Sequence, residues 1–124
     1  MAVLADDLIW ASRLSEIVRR AGGEPVHLAS AALLRAAVST LDGCVVDLTA
    51  RSYDGIAAIV TSATARVPIV AVCQHDDADL RRAAREAGAD RVYAYRTLFE
   101  HGDRELGRWV MALRGGAAPG EEAR

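Results

Sequence analysis

Asp6 and Asp7 follow the apolar run Ala2-Val3-Leu4-Ala5, and Asp47 follows Cys44-Val45-Val46. Acidic residues at the ends of strands sit where an α/β domain keeps its chemistry. Three carboxylates converging on one spot repel one another, so some protonate unless a cation joins them. The other chemical fact is an absence: all 15 Lys+Arg residues are arginine. Any mechanism that needs a lysine ammonium is therefore excluded. Cys73 and Tyr95 lie at or just beyond the ends of two further apolar runs and complete the set of groups that share such a position.

The elements that must position these groups alternate between strand and helix patterns. Ala2 to Ala5 reads as a first short strand. Leu14, Ile17, Val18 and Ala21 then recur at helical spacing within Leu8 to Ala21, and Gly22-Gly23 stops that helix. Pro25 to Leu28 reads as a second strand, and Ser30 caps a helix running through Leu33, Leu34 and Val38. Gly43 opens the buried strand Cys44 to Leu48, residues 49–54 form a polar loop, and Gly55 to Ala63 is helical. Val67 to Cys73 is a β-branched run suited to a strand covered on both faces, with Pro68 at its start where no ladder donor is needed. Asp77 to Ala87 is a helix ended by Gly88, Arg91 to Ala94 a last strand, and about Asp103 to Leu113 a final helix.

This alternation predicts an α/β fold with a doubly wound, parallel, five-stranded sheet flanked by helices. Asp6, Asp7, Asp47, Cys73 and Tyr95 all fall at or just beyond predicted carboxyl ends, the edge where such sheets place their sites. A single domain is expected over residues 1–114, with 115–124, rich in Gly, Ala and Glu, as a disordered tail.

The bulk composition narrows the class of function. No apolar run approaches the roughly 20 residues of a membrane span. The first residues lack the basic region and apolar core of a signal peptide, so the cytoplasm is the expected location and reduced thiols are expected at Cys44 and Cys73. The net charge is −2 with acids and arginines interspersed, which argues against nucleic acid as a partner. The densest basic group, Arg81, Arg82 and Arg85, is surrounded by Asp76, Asp77, Asp79 and Glu86 and reads as a solvated helix face. No G-x-G-x-x-G follows a strand, and no G-x-x-x-x-G-K-[ST] is present. A flavodoxin would need a Ser/Thr/Gly-rich phosphate loop after its first strand; here that loop is acidic.

Four pieces of sequence resemble the receiver domain of two-component response regulators over about residues 2–114. They are Val3-Leu4-Ala5-Asp6-Asp7, Val45-Val46-Asp47-Leu48 with Asp54-Gly55 beyond it, Val67-Pro68-Ile69-Val70-Ala71-Val72, and Ala87-Gly88-Ala89. Their order and spacing carry the resemblance. It implies that Asp47 is the phosphoacceptor and that Mg2+ is held by Asp7 directly, by Asp6 largely through water, by Asp47, and by the backbone carbonyl of Thr49. Mg2+ favours oxygen ligands and would neutralise charge on a transferring phosphoryl group.

Two positions depart from the family. Where receivers carry Ser or Thr at the end of the fourth strand this chain has Cys73, a weak donor. Where they carry lysine followed by proline it has Tyr95 followed by Arg96. Tyr95 offers one neutral hydrogen bond and no charge, and strand alternation points Arg96 away unless the strand has already ended. The resemblance therefore implies a stand-alone, atypical receiver-like (pseudo-receiver) signalling module that is not an enzyme and acts through protein–protein interaction, its phosphoryl switching weakened or lost. The alternative is a functional single-domain response regulator phosphorylated on Asp47 with Mg2+. Expected partners are a histidine kinase or a downstream effector, or a second copy in a homodimer, on the surface made by the last two helices and strand.

Several residues also have plain structural readings. Asp6 and Asp7 can cap the first helix. Cys73 is readable as a small buried hydrophobe, against a thiol-enzyme reading that pairs it with His75. Trp10 either packs on the sheet or rims the site, Tyr93 and Tyr95 point the same way only if the strand reaches both, and Trp109 sits in an apolar stripe. His27 and His101 read as partly exposed residues.

Overall fold

Short β-branched and apolar runs become the strands, and the 3.6-residue patterns between them become the helices. The computed structural model describes residues 1–74 and 77–115. Its elements run β1 (Ala2–Leu4), α1 (Leu8–Arg20), β2 (Val26–Leu28), α2 (Ala31–Ala37), a 3-10 turn (Val38–Thr40), β3 (Cys44–Asp47), α3 (Gly55–Thr64), β4 (Ile69–Cys73), α4 (Ala78–Ala87), β5 (Arg91–Ala94) and α5 (Tyr95–Arg114). The five strands form one sheet in the order β2-β1-β3-β4-β5, every neighbouring pair parallel. The doubly wound α/β architecture expected from the sequence is what forms.

Strands covered on both faces read as continuous apolar runs, and β1, β3 and β4 are buried at every position. Their side chains alternate between two cores. Leu4, Cys44, Val46, Ile69, Ala71 and Cys73 pack with Leu34 of α2, Ile59 of α3 and Ala84 of α4. Val3, Val45, Val70 and Val72 pack with Leu14, Ile17 and Val18 of α1 and with Leu98, Leu106 and Trp109 of α5. Asp47 pairs with Val72, and Cys73 pairs one step further on with Ala94. The carboxyl ends of β1, β3, β4 and β5 thus meet along one edge.

Ser30 caps α2 as expected, and Asp54 and Asp77 likewise each accept a backbone N–H of the helix that follows. Gly88 ends α4 with φ +121°, and a Cβ there would lie 2.8 Å from Cβ of Ala63. Several strand and helix ends shift by one or two residues from expectation, and the last helix differs more. Asp77 is the cap of α4 rather than its first residue. The last helix begins at Tyr95, directly after β5, instead of near Asp103. The cause is Gly102, which interrupts the apolar pattern but lies on the buried side of α5, where a Cβ would come within 2.8 Å of Ile17 Cγ2. A glycine placed for close helix–helix approach resembles a helix breaker when only the sequence is read. Of the proposed tail over 115–124 only Gly115, the cap of α5, is described; the rest of it and His75, needed for a Cys73–His75 pair, lie outside the described residues.

Candidate functional site

Asp47 is the last residue of β3 and only 1% exposed. Its carboxylate turns back on the chain: Oδ1 accepts the Thr49 backbone N–H at 2.9 Å and the Thr49 hydroxyl at 2.7 Å. Oδ2 is buried and has no hydrogen-bond partner among the described residues. Buried polar atoms are nearly always satisfied, so an orphan on a carboxylate marks either a missing ligand or a poised contact.

Tyr95, the first residue of α5, is 5% exposed, and its hydroxyl is also buried, with no hydrogen-bond partner among the described residues. Burial, and after it the nearby Asp47 carboxylate, push the Tyr95 hydroxyl well above the ordinary tyrosine pKa. The Tyr95 ring is held from outside by Trp10, centroid to centroid 4.2 Å, and Phe99, 5.6 Å. Trp10 and Phe99 stack at 5.4 Å and 10°, and the Arg13 guanidinium lies over both rings. Trp10 therefore rims the site and packs on Tyr95 at once.

The acidic pair divides its work. Asp7 caps α1: its Oδ1 accepts the N–H groups of Ile9 at 2.8 Å and Trp10 at 3.1 Å. Asp6 reaches across to the β3–α3 loop, where its Oδ2 accepts the N–H groups of Arg51 at 2.9 Å and Ser52 at 2.8 Å. Those bonds, that of the Ser52 backbone foremost, hold the Asp6 carboxyl below its ordinary pKa. A depressed carboxyl adds stability that is complete above its unfolded pKa, near 3.8, and is lost as pH falls through the lower folded value. The acid limb of the stability curve is therefore expected to be shallower below about pH 4 in Asp6→Asn than in the parent. Because Asp6 is partly exposed the difference is small. Identical limbs in paired thermal melts from pH 5 to 2 would show that Asp6 is not linked to folding.

Tyr53, read from the sequence only as part of a polar loop, belongs to the site's frame. Its hydroxyl lies 2.9 Å from the carbonyl of Leu4 and 2.7 Å from that of Asp47, tying the ends of β1 and β3 together. Burial, with Asp47 and Asp6 adding to it, raises its pKa far above the usual tyrosine value.

Asp6, Asp7, Asp47, Thr49, Trp10 and Arg51 line one open cleft of about 500 Å³. The other two expected site positions behave differently. Cys73 is fully buried on the opposite face of the sheet and packs into the α2–α3–α4 core. Burial raises its thiol pKa, which keeps it in the unreactive protonated form. Cys44 is pushed up to about 12 by the same cause. Because β5 has ended at Ala94, Arg96 lies on the outer side of α5, 80% exposed and paired with Glu100 at 3.1 Å. It brings no charge to Asp47. Among the described residues no ion pair involves Asp6, Asp7 or Asp47.

The donor set is oxygen-rich, as Mg2+ requires. In this conformation, however, it does not fit the ion. Among the described residues no three His, Cys, Asp or Glu side chains gather closely enough to hold a metal. The one unsatisfied carboxylate oxygen, Asp47 Oδ2, is closed off from solvent.

Comparison with known proteins places the fold. No family model matches the chain, and no curated protein matches it. Solved structures do. The receiver domain of a CheY-like response regulator from Methanospirillum hungatei JF-1 superposes with a TM-score of 0.73 at 15% identity, over 94% of this chain and 96% of that one. The BeF3-activated DrrB receiver domain gives 0.74 at 17% identity, over 92% and 95%. A Burkholderia pseudomallei response regulator, described with a phosphorylated aspartic acid, calcium ion and citrate, gives 0.68 at 16%, over 90% and 69%. The chain therefore has the flavodoxin-like fold of response-regulator receiver domains.

Proposed function

We propose that the chain is a pseudo-receiver: a signalling module that binds another protein and in which phosphoryl switching is weakened or lost. One observation carries this reading. Asp47, at the position a receiver would phosphorylate, keeps its only unsatisfied oxygen buried, with an uncharged tyrosine nearby and no lysine anywhere in the chain to stand there instead. Losing a charged partner at such a site removes stabilisation from whatever negative charge would develop on it. Asp7 and Asp6 support the reading, because each already accepts two backbone N–H groups. The module performs no catalysis, and its partner is a protein such as a histidine kinase or an effector, met on the α4–β5–α5 face. No described helix is long and apolar enough to cross a membrane.

The test is a titration with Mg2+ and then with beryllofluoride, an acyl-phosphate mimic, following Trp10 fluorescence and calorimetric heat, with Asp47→Asn as control. The expected result is no saturable response at millimolar concentrations. A saturable response that vanishes in Asp47→Asn would overturn the reading. It would assign instead a switchable response regulator phosphorylated on Asp47 with Mg2+.

A further inference from the structure

We propose that Asp6 is a positioning residue for Asp47: it clasps the β3–α3 loop, the loop in turn holds the Asp47 carboxylate, and the acids form one frame that needs no cation.

The frame is a continuous path of hydrogen bonds. Asp6 Oδ2 accepts the N–H groups of Arg51 and Ser52 at 2.9 and 2.8 Å, across 45 and 46 residues of chain. Two residues before Arg51, Thr49 donates its N–H and its hydroxyl to Asp47 Oδ1 at 2.9 and 2.7 Å. One residue after Ser52, the Tyr53 hydroxyl lies 2.7 Å from the Asp47 carbonyl. Residues 49–53 thus meet Asp47 at both ends and Asp6 in the middle. They belong to no helix or strand, so these bonds do the fixing that a ladder or a helical turn does elsewhere.

The same path accounts for the poor fit to a metal ion. A divalent cation draws neighbouring carboxylates towards itself, whereas here N–H groups and one hydroxyl hold them, and hydrogen bonds to a charged acceptor are the stronger kind. Asp7 is occupied in capping α1, and among the described residues no three acidic side chains gather closely enough to hold a metal. Asp6 and Asp47 are therefore joined through the loop and not through an ion. Anything that competes for Asp6 Oδ2 loosens Asp47 as well, and by linkage the reverse holds.

The frame does not rest on the pseudo-receiver reading. Its test uses the full chain in EDTA, so no readout depends on a bound ion or on phosphorylation. The peptide bond after Arg51 lies in the clasped loop, and trypsin cuts it only when the loop opens. Asp6→Ala removes the acceptor; Asp6→Asn keeps an oxygen that accepts the same N–H groups. We expect cutting after Arg51 to be about tenfold faster or more in Asp6→Ala and within about threefold of the parent in Asp6→Asn. The Thr49 amide proton, held downfield by its bond to Asp47, should move upfield in Asp6→Ala and return towards the parent position in Asp6→Asn. A role confined to residues 51 and 52 would leave it unmoved. Ser30→Ala, which removes the cap of α2, controls for general loss of stability and should speed that cut no more than its lower stability explains. Thr49→Val probes the path from its other end: the Arg51 and Ser52 amides should exchange about fivefold faster or more, beyond the global change. Cutting at the parent rate in Asp6→Ala overturns the frame, as does an Asp6→Asn loop as open as that of Asp6→Ala or an unmoved Thr49 amide. If Asp6→Ala does not fold, Thr49→Val decides, and unchanged exchange at Arg51 and Ser52 overturns the frame. A saturable Mg2+ response in the parent would sink the pseudo-receiver reading and leave the frame standing, because the frame is measured without the ion.

Discussion

Trp109→Ala is expected to lower the unfolding free energy by about 3–5 kcal/mol, the usual cost of emptying a large aromatic site in a core. Trp109 is 1% exposed and is the largest fully buried side chain among those described. It fills the space between α5 and the sheet beside Leu14, Val18 and Leu106. It also closes against the start of β3, where a Cβ on Gly43 would lie 3.0 Å from the Trp109 ring. The surrounding strands cannot collapse inward without breaking the ladder, so the cavity persists. A domain of this size is stable by about 5–15 kcal/mol in total, so one substitution removes a large share. The indole N–H has no partner among the described residues. Trp109→Phe therefore loses no hydrogen bond and should cost markedly less than the alanine variant. Urea denaturation of the three proteins checks both statements. A loss below about 1 kcal/mol for Trp109→Ala, typical of a surface position, would refute this account of the core.

Most of the fold is legible in the sequence, because burial imposes a period. Strands covered on both sides require unbroken apolar runs, and Val67 to Cys73 could be little else. The caps Ser30, Asp54 and Asp77 lie at the starts of their helices because a short polar side chain satisfies N–H groups that the helix cannot. The shared edge of Asp6, Asp7, Asp47 and Tyr95 follows from topology. Its internal geometry does not. Which carboxylate caps α1 and which crosses to residues 51 and 52 depends on rotamers and on loop conformation, and neither leaves a periodic trace. The face on which Cys73 lies follows from the strand pairing. Asp47 pairs with Val72, so the next residue of β4 must face the other layer. Register, invisible in one sequence, decides it. Tyr53 was missed altogether, since an aromatic residue in a polar loop carries no sign that its hydroxyl reaches two strand ends.

Tyr53→Phe is expected to cost about 1–3 kcal/mol, the range for deleting one partner of a buried hydrogen bond. The hydroxyl has one proton and two acceptors, the carbonyls of Leu4 and Asp47, so both lose a partner together. Those carbonyls stand at the ends of adjacent strands, just where β1 gives way to Asp6 and β3 to Thr49. The ring keeps its packing against the α2–α3–α4 core, so the loss reports the hydroxyl and not a cavity. Hydrogen exchange should show the consequence locally. The N–H groups of Arg51 and Ser52, which Asp6 holds, should exchange faster by more than the global loss of stability explains, while amides in α5 follow the global change alone. The difference also depends on pH. Because the folded pKa of Tyr53 is raised above the unfolded value of 10.0, its stabilisation is complete below that pH. It declines at higher pH, where the unfolded chain gives up the proton first. Phenylalanine cannot titrate, so the gap between parent and variant should narrow above about pH 10. A gap that stays constant through that range, or a variant as stable as the parent at neutral pH, would show that the hydroxyl does not join β1 to β3.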